Sequence, residues 1–405
     1  MNEPVNQPAT PPALPASVYP FGLRDDKSRS RPRRIAVIPG DGIGVEVVAQ
    51  ALRALAPLGV QVQTSHFPWS ADHYFATGET LPQGALADLR DNYDAILFGA
   101  LGDPRVPEQI VARDVLLGLR FGLDLYINLR PVQLIDERLC PIKGKRTADI
   151  NFTVLRENTE GPYVQMGGSF KRDTADEVAI SEDLNTRRGV ERIIRAAYTL
   201  ATTPHGGTHS PPRVCMVDKA NALPHAHGLW QRTFKAVARE FPAVAASHLY
   251  VDVAAMEFVR APERFDIVVT SNLFGDILTD LGAALCGGLG VAASGNIHPG
   301  RCSLFEPVHG SAPDLAGKGL ANPLAAFLTL ALLLEHIGEP LAAHRLRLAV
   351  EAVVRAGRTT RDLGGELSTT QCGDAVLHAL QALPTHSAEP VAQPAGSKSQ
   401  GGMPP

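Results

Sequence analysis

The chain has 405 residues, 44% hydrophobic and 20% charged, which exceeds what one hydrophobic core usually serves, so two core-bearing lobes are expected. Its 38 basic and 42 acidic residues leave a formal net charge of -4, no global field for nucleic acid or an anionic membrane, and a small molecule as the expected partner. Five scattered cysteines (Cys140, Cys215, Cys286, Cys302, Cys372) lack CxxC spacing, which argues against a zinc ribbon or disulfide framework and for reduced thiols in a cytoplasmic protein.

Residues 1–32 are proline-rich and lack an apolar segment long enough for a secretory signal, so they read as a disordered tail outside the fold. The first apolar strand is IAVI (35–38), followed by the turn GDGIG (40–44). Ile43, Val47, Val48, Leu52 and Leu55 then mark one face of a helix. Further strands are expected at AILFGA (95–100), INFTVLR (150–156), VCMVDK (214–219), HLYVDV (248–253) and DIVVTSN (266–272). Strands alternating with helical patterns are an α/β signature. The run PLAAFLTLALLLEHI (323–337) is too short to span a bilayer and ends in Glu335 and His336, so it predicts a buried helix. Residues 384–405, rich in Pro, Gly and Ser, read as a second disordered tail.

In open α/β sheets ligands bind at the carboxyl ends of strands, and here Arg156, Lys219, Asp252 and Asn272 stand at or just past such ends. Asp276 and Asp280, four apart, share one face of a helix. That pairing suits a divalent cation such as Mg²⁺ or Mn²⁺, with Asp252 as a third ligand, although spacing alone fits a solvated helix face as well. Arg113, Arg120, Arg130 and Arg156 could fork onto a substrate with two carboxylates or lie on the surface. Tyr163 and Lys219 supply a phenol and an amine, an acid and a base if burial or a metal tunes them, and otherwise a structural tyrosine and a salt-bridged lysine. For a nucleotide, the turn at 40–44 is G-x-G-x-G, not G-x-G-x-x-G, and no clear acidic residue follows about twenty residues on. The competing address is the Gly/Pro/Ala loop over 305–323, where Asp314 could accept from ribose hydroxyls.

In order from residue 33 to 383, the segments IPGDGIGVEV, LDLYINLRPV, LRENTEGPY, VDKAN, NLFGDILTDLGAAL and FEPVHGSAPDLAGKGLANP resemble the β-decarboxylating dehydrogenases, which act on 3-isopropylmalate, isocitrate, homoisocitrate and tartrate or D-malate. The resemblance implies an isopropylmalate dehydrogenase-like two-domain α/β fold with a large mixed sheet and a nicotinamide site unlike the Rossmann one. It puts the cofactor domain at 33–125 plus 287–383, and the substrate, metal and dimerisation domain at 126–286. It also implies a homodimer whose active sites borrow Lys219 and Asp252 from the partner.

Carried over residue by residue, the resemblance has Arg120, Arg130 and Arg156 hold the malate carboxylates. Asp276, Asp280 and the partner's Asp252 would hold Mg²⁺ or Mn²⁺. Lys219 would take the C2 hydroxyl proton as hydride leaves for the nicotinamide, and Tyr163 would help protonate the enol left by CO₂. His309, Gly310, Ser311 and Ala312 would face the pyrophosphate, Asn322 the adenine and Asp314 the adenosine ribose, where a carboxylate favours NAD over NADP. Arg113, Leu116 and Leu117 would set specificity. The leucine pair suits the branched chain of 3-isopropylmalate, an intermediate of leucine biosynthesis. Arg113 departs from the glutamate often found there and keeps homoisocitrate and tartrate or D-malate open. A non-catalytic regulatory subunit would be expected to have lost some of Tyr163, Lys219, Asp252, Asp276 and Asp280, all of which are present.

Overall fold

The structure, a computed structural model, describes residues 20–23, 31–107, 110–203 and 206–384. Its strands among these residues are β1 Arg33–Gly40, β2 Val62–His66, β3 Ala95–Ala100, β4 Ile127–Gln133, β5 Asn151–Glu157, β6 Gly167–Phe170, β7 Val178–Ser181, β8 Arg213–Asp218, β9 Ala245–Tyr250, β10 Ile267–Thr270, β11 Ala293–Ile297 and β12 Ser303–Pro307. A 10-stranded sheet runs in the order β2-β1-β3-β12-β11-β4-β5-β10-β8-β9. The strands β2, β1, β3 and β12 are mutually parallel, as are β5, β10, β8 and β9. Between them, β12 to β11, β11 to β4 and β4 to β5 are all antiparallel, so the two parallel blocks run in opposite senses. This is the large mixed α/β sheet expected.

The apolar runs fold as strands covered on both faces. All of β3 and the centre of β1 are buried, as parallel strands between helical layers must be. The helix Ile43–Leu52 turns Ile43, Val47 and Val48 into that core, while Leu55 opens a separate short helix, Leu55–Leu58. The run at 323–337 becomes the helix Leu324–His336, buried on nearly every face. Among the described residues no helix is long and apolar enough to cross a membrane.

Two expectations need correcting, and one hairpin adds to them. The segment HLYVDV is not all strand: β9 stops at Tyr250, and Asp252 falls in the first turn of the helix Val251–Arg260, whose apolar side buries Ala254 and Phe258. The amino-terminal stretch is not wholly outside the fold, because Phe21 is buried in the main core and the Leu23 N–H donates to the His336 carbonyl at 2.9 Å. A phenylalanine removes enough apolar area from water to dock a short segment that composition alone would release. Residues 1–19 and 24–30, and those after 384, lie outside the described residues. Finally, β6 and β7 form a separate antiparallel hairpin that sequence patterning did not reveal, with Phe170 and Ile180 exposed on it.

Candidate active site

A cleft of about 670 Å³ opens where the antiparallel centre of the sheet meets the first parallel block. One wall is the helix Asn272–Leu285, which follows β10 directly. It lies close over β5 because residue 275 is glycine: a Cβ there would stand 2.6 Å from the side-chain carbons of Arg156. That approach brings Asp276 onto the buried guanidinium of Arg156, with which it pairs, while Arg156 Nε donates to Asn272 Oδ1 at 2.8 Å. Arg130, on β4, donates to Asn128 Oδ1 at 2.7 Å, Thr279 Oγ1 at 2.6 Å and Asp276 Oδ1 at 3.3 Å. Asp280, one turn further, stands 3.7 Å from the Arg130 guanidinium. The Tyr163 hydroxyl donates to Asp276 Oδ2 at 2.7 Å, and Arg120 completes the ring by donating to Glu306 Oε1 at 3.0 Å.

Charge in this cleft is finely balanced. Burial works against ionisation of Asp276, but Arg156, Arg130 and the Tyr163 hydroxyl outweigh it and hold the carboxyl below its ordinary pKa. Asp280 goes the other way, raised by burial against the pull of Arg130. Burial, with Arg130 and Arg120 nearby, brings Arg156 down to about 10. Burial also raises the Tyr163 phenol, so it keeps its proton at neutral pH.

The helical segment from Ala112 to Gly122 opens with a widened π turn, and Arg113, Leu116, Leu117 and Arg120 all line the cleft from it. Their i, i+3, i+4, i+7 spacing is one helix face.

Lys219 and Asp252 are elsewhere. They pair with each other just past the ends of β8 and β9, and neither lines the cleft. Among the described residues no group of three or more His, Cys, Asp or Glu could hold a metal. Asp276 and Asp280 nonetheless offer the oxygen-only donor set that hard divalent cations take, and they fit one if a further carboxylate arrives from outside this chain.

The loop at 309–312 packs against the glycine turn. The Ile43 N–H donates to the Ser311 carbonyl at 2.9 Å, and Ser311 Oγ donates to the Gly102 carbonyl at 2.5 Å. Gly42 has φ +57, and a Cβ on it would meet the Ser311 oxygen at 2.0 Å. Asp41 accepts from the N–H groups of Ala71 at 2.7 Å and Gly102 at 3.0 Å. The turn therefore supports the loop. His309 Nε2 is buried with no protein partner, Gly310 is unobstructed, and Asp314 is exposed, an arrangement that fits a nucleotide on this side. Asn322 is engaged internally, donating to Asp362 Oδ2 at 2.8 Å and accepting from the Leu324 N–H at 2.9 Å.

Sequence reasoning passed over Asn128, Thr279, Glu306 and Gln165, which orient the arginines or line the cleft. Asn128 was findable, since strand alternation puts residues 128 and 130 on one face.

Residues 34–376 match the family model described as isocitrate/isopropylmalate dehydrogenase. The chain belongs to that family. Among its relatives, a 3-isopropylmalate dehydrogenase of Thermobifida fusca (strain YX) is 47% identical over 351 residues, 85% of this chain and 97% of that one. One from Beutenbergia cavernae is 49% identical over 350 residues, covering 84% and 96%. The solved structure of isocitrate dehydrogenase from Methylococcus capsulatus superposes with a TM-score of 0.77 at 39% identity, covering 86% of this chain and 99% of that one. In this family member Arg113 lines the cleft with its Nε already donating to Asp114 Oδ1 at 2.9 Å.

Proposed function

We propose that the protein is an NAD-dependent, divalent-metal-dependent dehydrogenase that oxidises and decarboxylates a 3-substituted malate, 3-isopropylmalate first, in leucine biosynthesis. The observation that carries this reading is the meeting of Arg120, Arg130, Arg156, Tyr163 and Asp276 in one cleft walled by Leu116 and Leu117. Three arginine forks suit a dicarboxylate, and the leucines suit a branched aliphatic substituent. Names of the relatives at 47% and 49% identity support the same substrate. Because Arg113 is engaged by Asp114, a third substrate carboxylate is the weaker reading, and homoisocitrate, with tartrate or D-malate, stands second.

We take residues 33–125 with 287–383 as the cofactor lobe and 126–286 as the other lobe. In the proposed reaction Arg120, Arg130 and Arg156 orient the malate carboxylates. The partner's Lys219 accepts the C2 hydroxyl proton, and Tyr163, whose raised pKa keeps it protonated, donates to the carbon that loses CO₂. Asp276, Asp280 and the partner's Asp252 would hold the divalent cation, which would supply charge stabilisation for the electrons that CO₂ leaves behind, and the nicotinamide would supply the hydride acceptor. On the cofactor side, His309, Gly310, Ser311 and Ala312 would face the pyrophosphate, Asp314 the ribose hydroxyls and the Asn322 loop the adenine.

A homodimer follows from the same reading. Lys219 and Asp252 do not reach their own cleft, and apolar side chains stand open on the two helices that carry the carboxylates, Ile277 at 58% exposure between Asp276 and Asp280 in sequence and Met256 at 52% on the helix of Asp252. The test is NADH formation by purified protein with Mg²⁺ or Mn²⁺ on isopropylmalate, homoisocitrate, isocitrate, D-malate and tartrate. Isopropylmalate should dominate, and Asp276→Asn should abolish metal-dependent turnover with the fold retained. No turnover on any of the five would sink the proposal.

A further inference from the structure

Lys219 stands one residue past the end of β8, where the ladder no longer serves its N–H. That N–H donates to His227 Nδ1 at 2.9 Å. A ring accepting at Nδ1 carries its proton on Nε2, and Nε2 faces Asp183 Oδ2 at 3.3 Å. His227 is 1% exposed, in the first turn of the helix Ala226–Ala238, with its ring 5.1 Å from that of Phe274.

Asp183 is itself held in place by its neighbours. The Glu182 N–H donates to the Met166 carbonyl at 2.8 Å, the Gly161 N–H to the Leu184 carbonyl at 2.7 Å, and Trp230 Nε1 to Asn185 Oδ1 at 2.7 Å. Gly161 opens the turn Gly161–Val164, which carries Tyr163. One short segment thus anchors both the turn bearing the phenol and, through His227, the backbone from which the amine projects.

We propose that His227 and Asp183 are positioning residues for Lys219: Asp183 orients the imidazole, and the imidazole fixes the root of the lysine side chain so that its amine meets substrate at the right distance. The inference rests on Lys219 being the base of the proposed reaction. A long, flexible stem cannot correct a displaced root without losing population of the productive geometry, and a misplacement of about 1 Å can cost about a hundredfold in rate.

The experiment compares kcat and KM for isopropylmalate and NAD in wild type, His227→Phe, His227→Asn, Asp183→Ala and the His227→Phe/Asp183→Ala double variant, with thermal unfolding of each. His227→Phe should lower kcat about tenfold to a hundredfold with both KM values within about twofold. His227→Asn, whose amide oxygen can stand in for Nδ1, should restore most of that loss. Asp183→Ala should show a smaller loss of the same kind, and adding it to His227→Phe should cost nothing further, since both act through one bond. A folded His227→Phe with kcat within about twofold of wild type overturns the proposal. If that variant does not fold, unchanged kcat in Asp183→Ala, whose side chain is partly exposed, overturns it instead. Lys219→Ala serves as the separate control: full turnover there removes Lys219 as the base and brings down the reading on which the relay rests.

Discussion

Glu157 follows Arg156 on β5 and therefore faces the opposite side of the sheet. Its buried carboxylate accepts from the Thr159 N–H at 3.0 Å, Thr159 Oγ1 at 2.8 Å and the Glu160 N–H at 2.7 Å. Burial outweighs these donors and lifts its pKa to about 7, from an ordinary value of 4.5. A carboxyl raised in the folded state favours folding while protonated, so its contribution is full below pH 4.5 and is lost as pH rises through about 7. At pH 5 Glu157→Gln should be destabilised, because an amide oxygen cannot accept from all three donors. It should nevertheless lose about 2 to 3 kcal/mol less than wild type between pH 5 and pH 8. Urea unfolding at the two pH values tests this, and parallel slopes would refute it. Nothing in the sequence marked Glu157, whereas Arg130, Arg156, Tyr163 and Asp276 were all legible as candidates. The difference is that reactive residue types advertise themselves, while burial, which shifts Glu157, depends on the packing of distant segments.

The glycine turn after β1 looks like a phosphate cradle and instead acts as a bracket. Its chain direction is set by Gly40 and Gly42, both at positive φ, and its contacts run to Ser311 and, through Glu46 Oε1, to the Gly317 N–H at 2.5 Å, 271 residues away in sequence. Missing the G-x-G-x-x-G spacing was enough to doubt the Rossmann assignment, but no local pattern could name the loop that the turn supports. Gly42→Ala tests the bracket. Its Cβ would have to sit on a backbone at φ +57, ψ -130, a sparsely populated conformation costing about 1 to 3 kcal/mol, besides the contact with Ser311. The expected result is a loss of more than about 2 kcal/mol in stability and a rise of about tenfold in KM for NAD, with KM for the malate substrate little changed. Equal NAD affinity in a folded variant would separate the turn from the nucleotide loop.

At the scale of the whole molecule, the sequence disclosed alternation but not the reversal at the sheet's centre. The strands β4, β11 and β12 make the reversal, with Asn128, Arg130, Ser294, Asn296 and Glu306 buried on them; β4 alternates apolar and polar residues, but alternation does not tell a parallel neighbour from an antiparallel one, and β11 (ASGNI) has little apolar pattern to read. Arg130, Ser294 and Glu306 line the cleft, with Asn128 and Asn296 bonded behind them, and the rest of the site must come from a second copy if Lys219 and Asp252 are to take part. The proposed sharing of sites between subunits makes a sharp prediction for mixed subunits. Lys219→Ala and Asp276→Asn homodimers should each be inactive, since every site lacks one group. After the two are unfolded together and refolded, a heterodimer holds one site missing both groups and one site missing neither. Random pairing puts half the dimers in that class, so the mixture should recover about a quarter of wild-type turnover. A site built within one chain would recover nothing. Ile277→Asp, which puts a charge on the apolar surface that the partner would cover, should shift the protein to monomer in sedimentation and lower turnover in step with the monomer fraction.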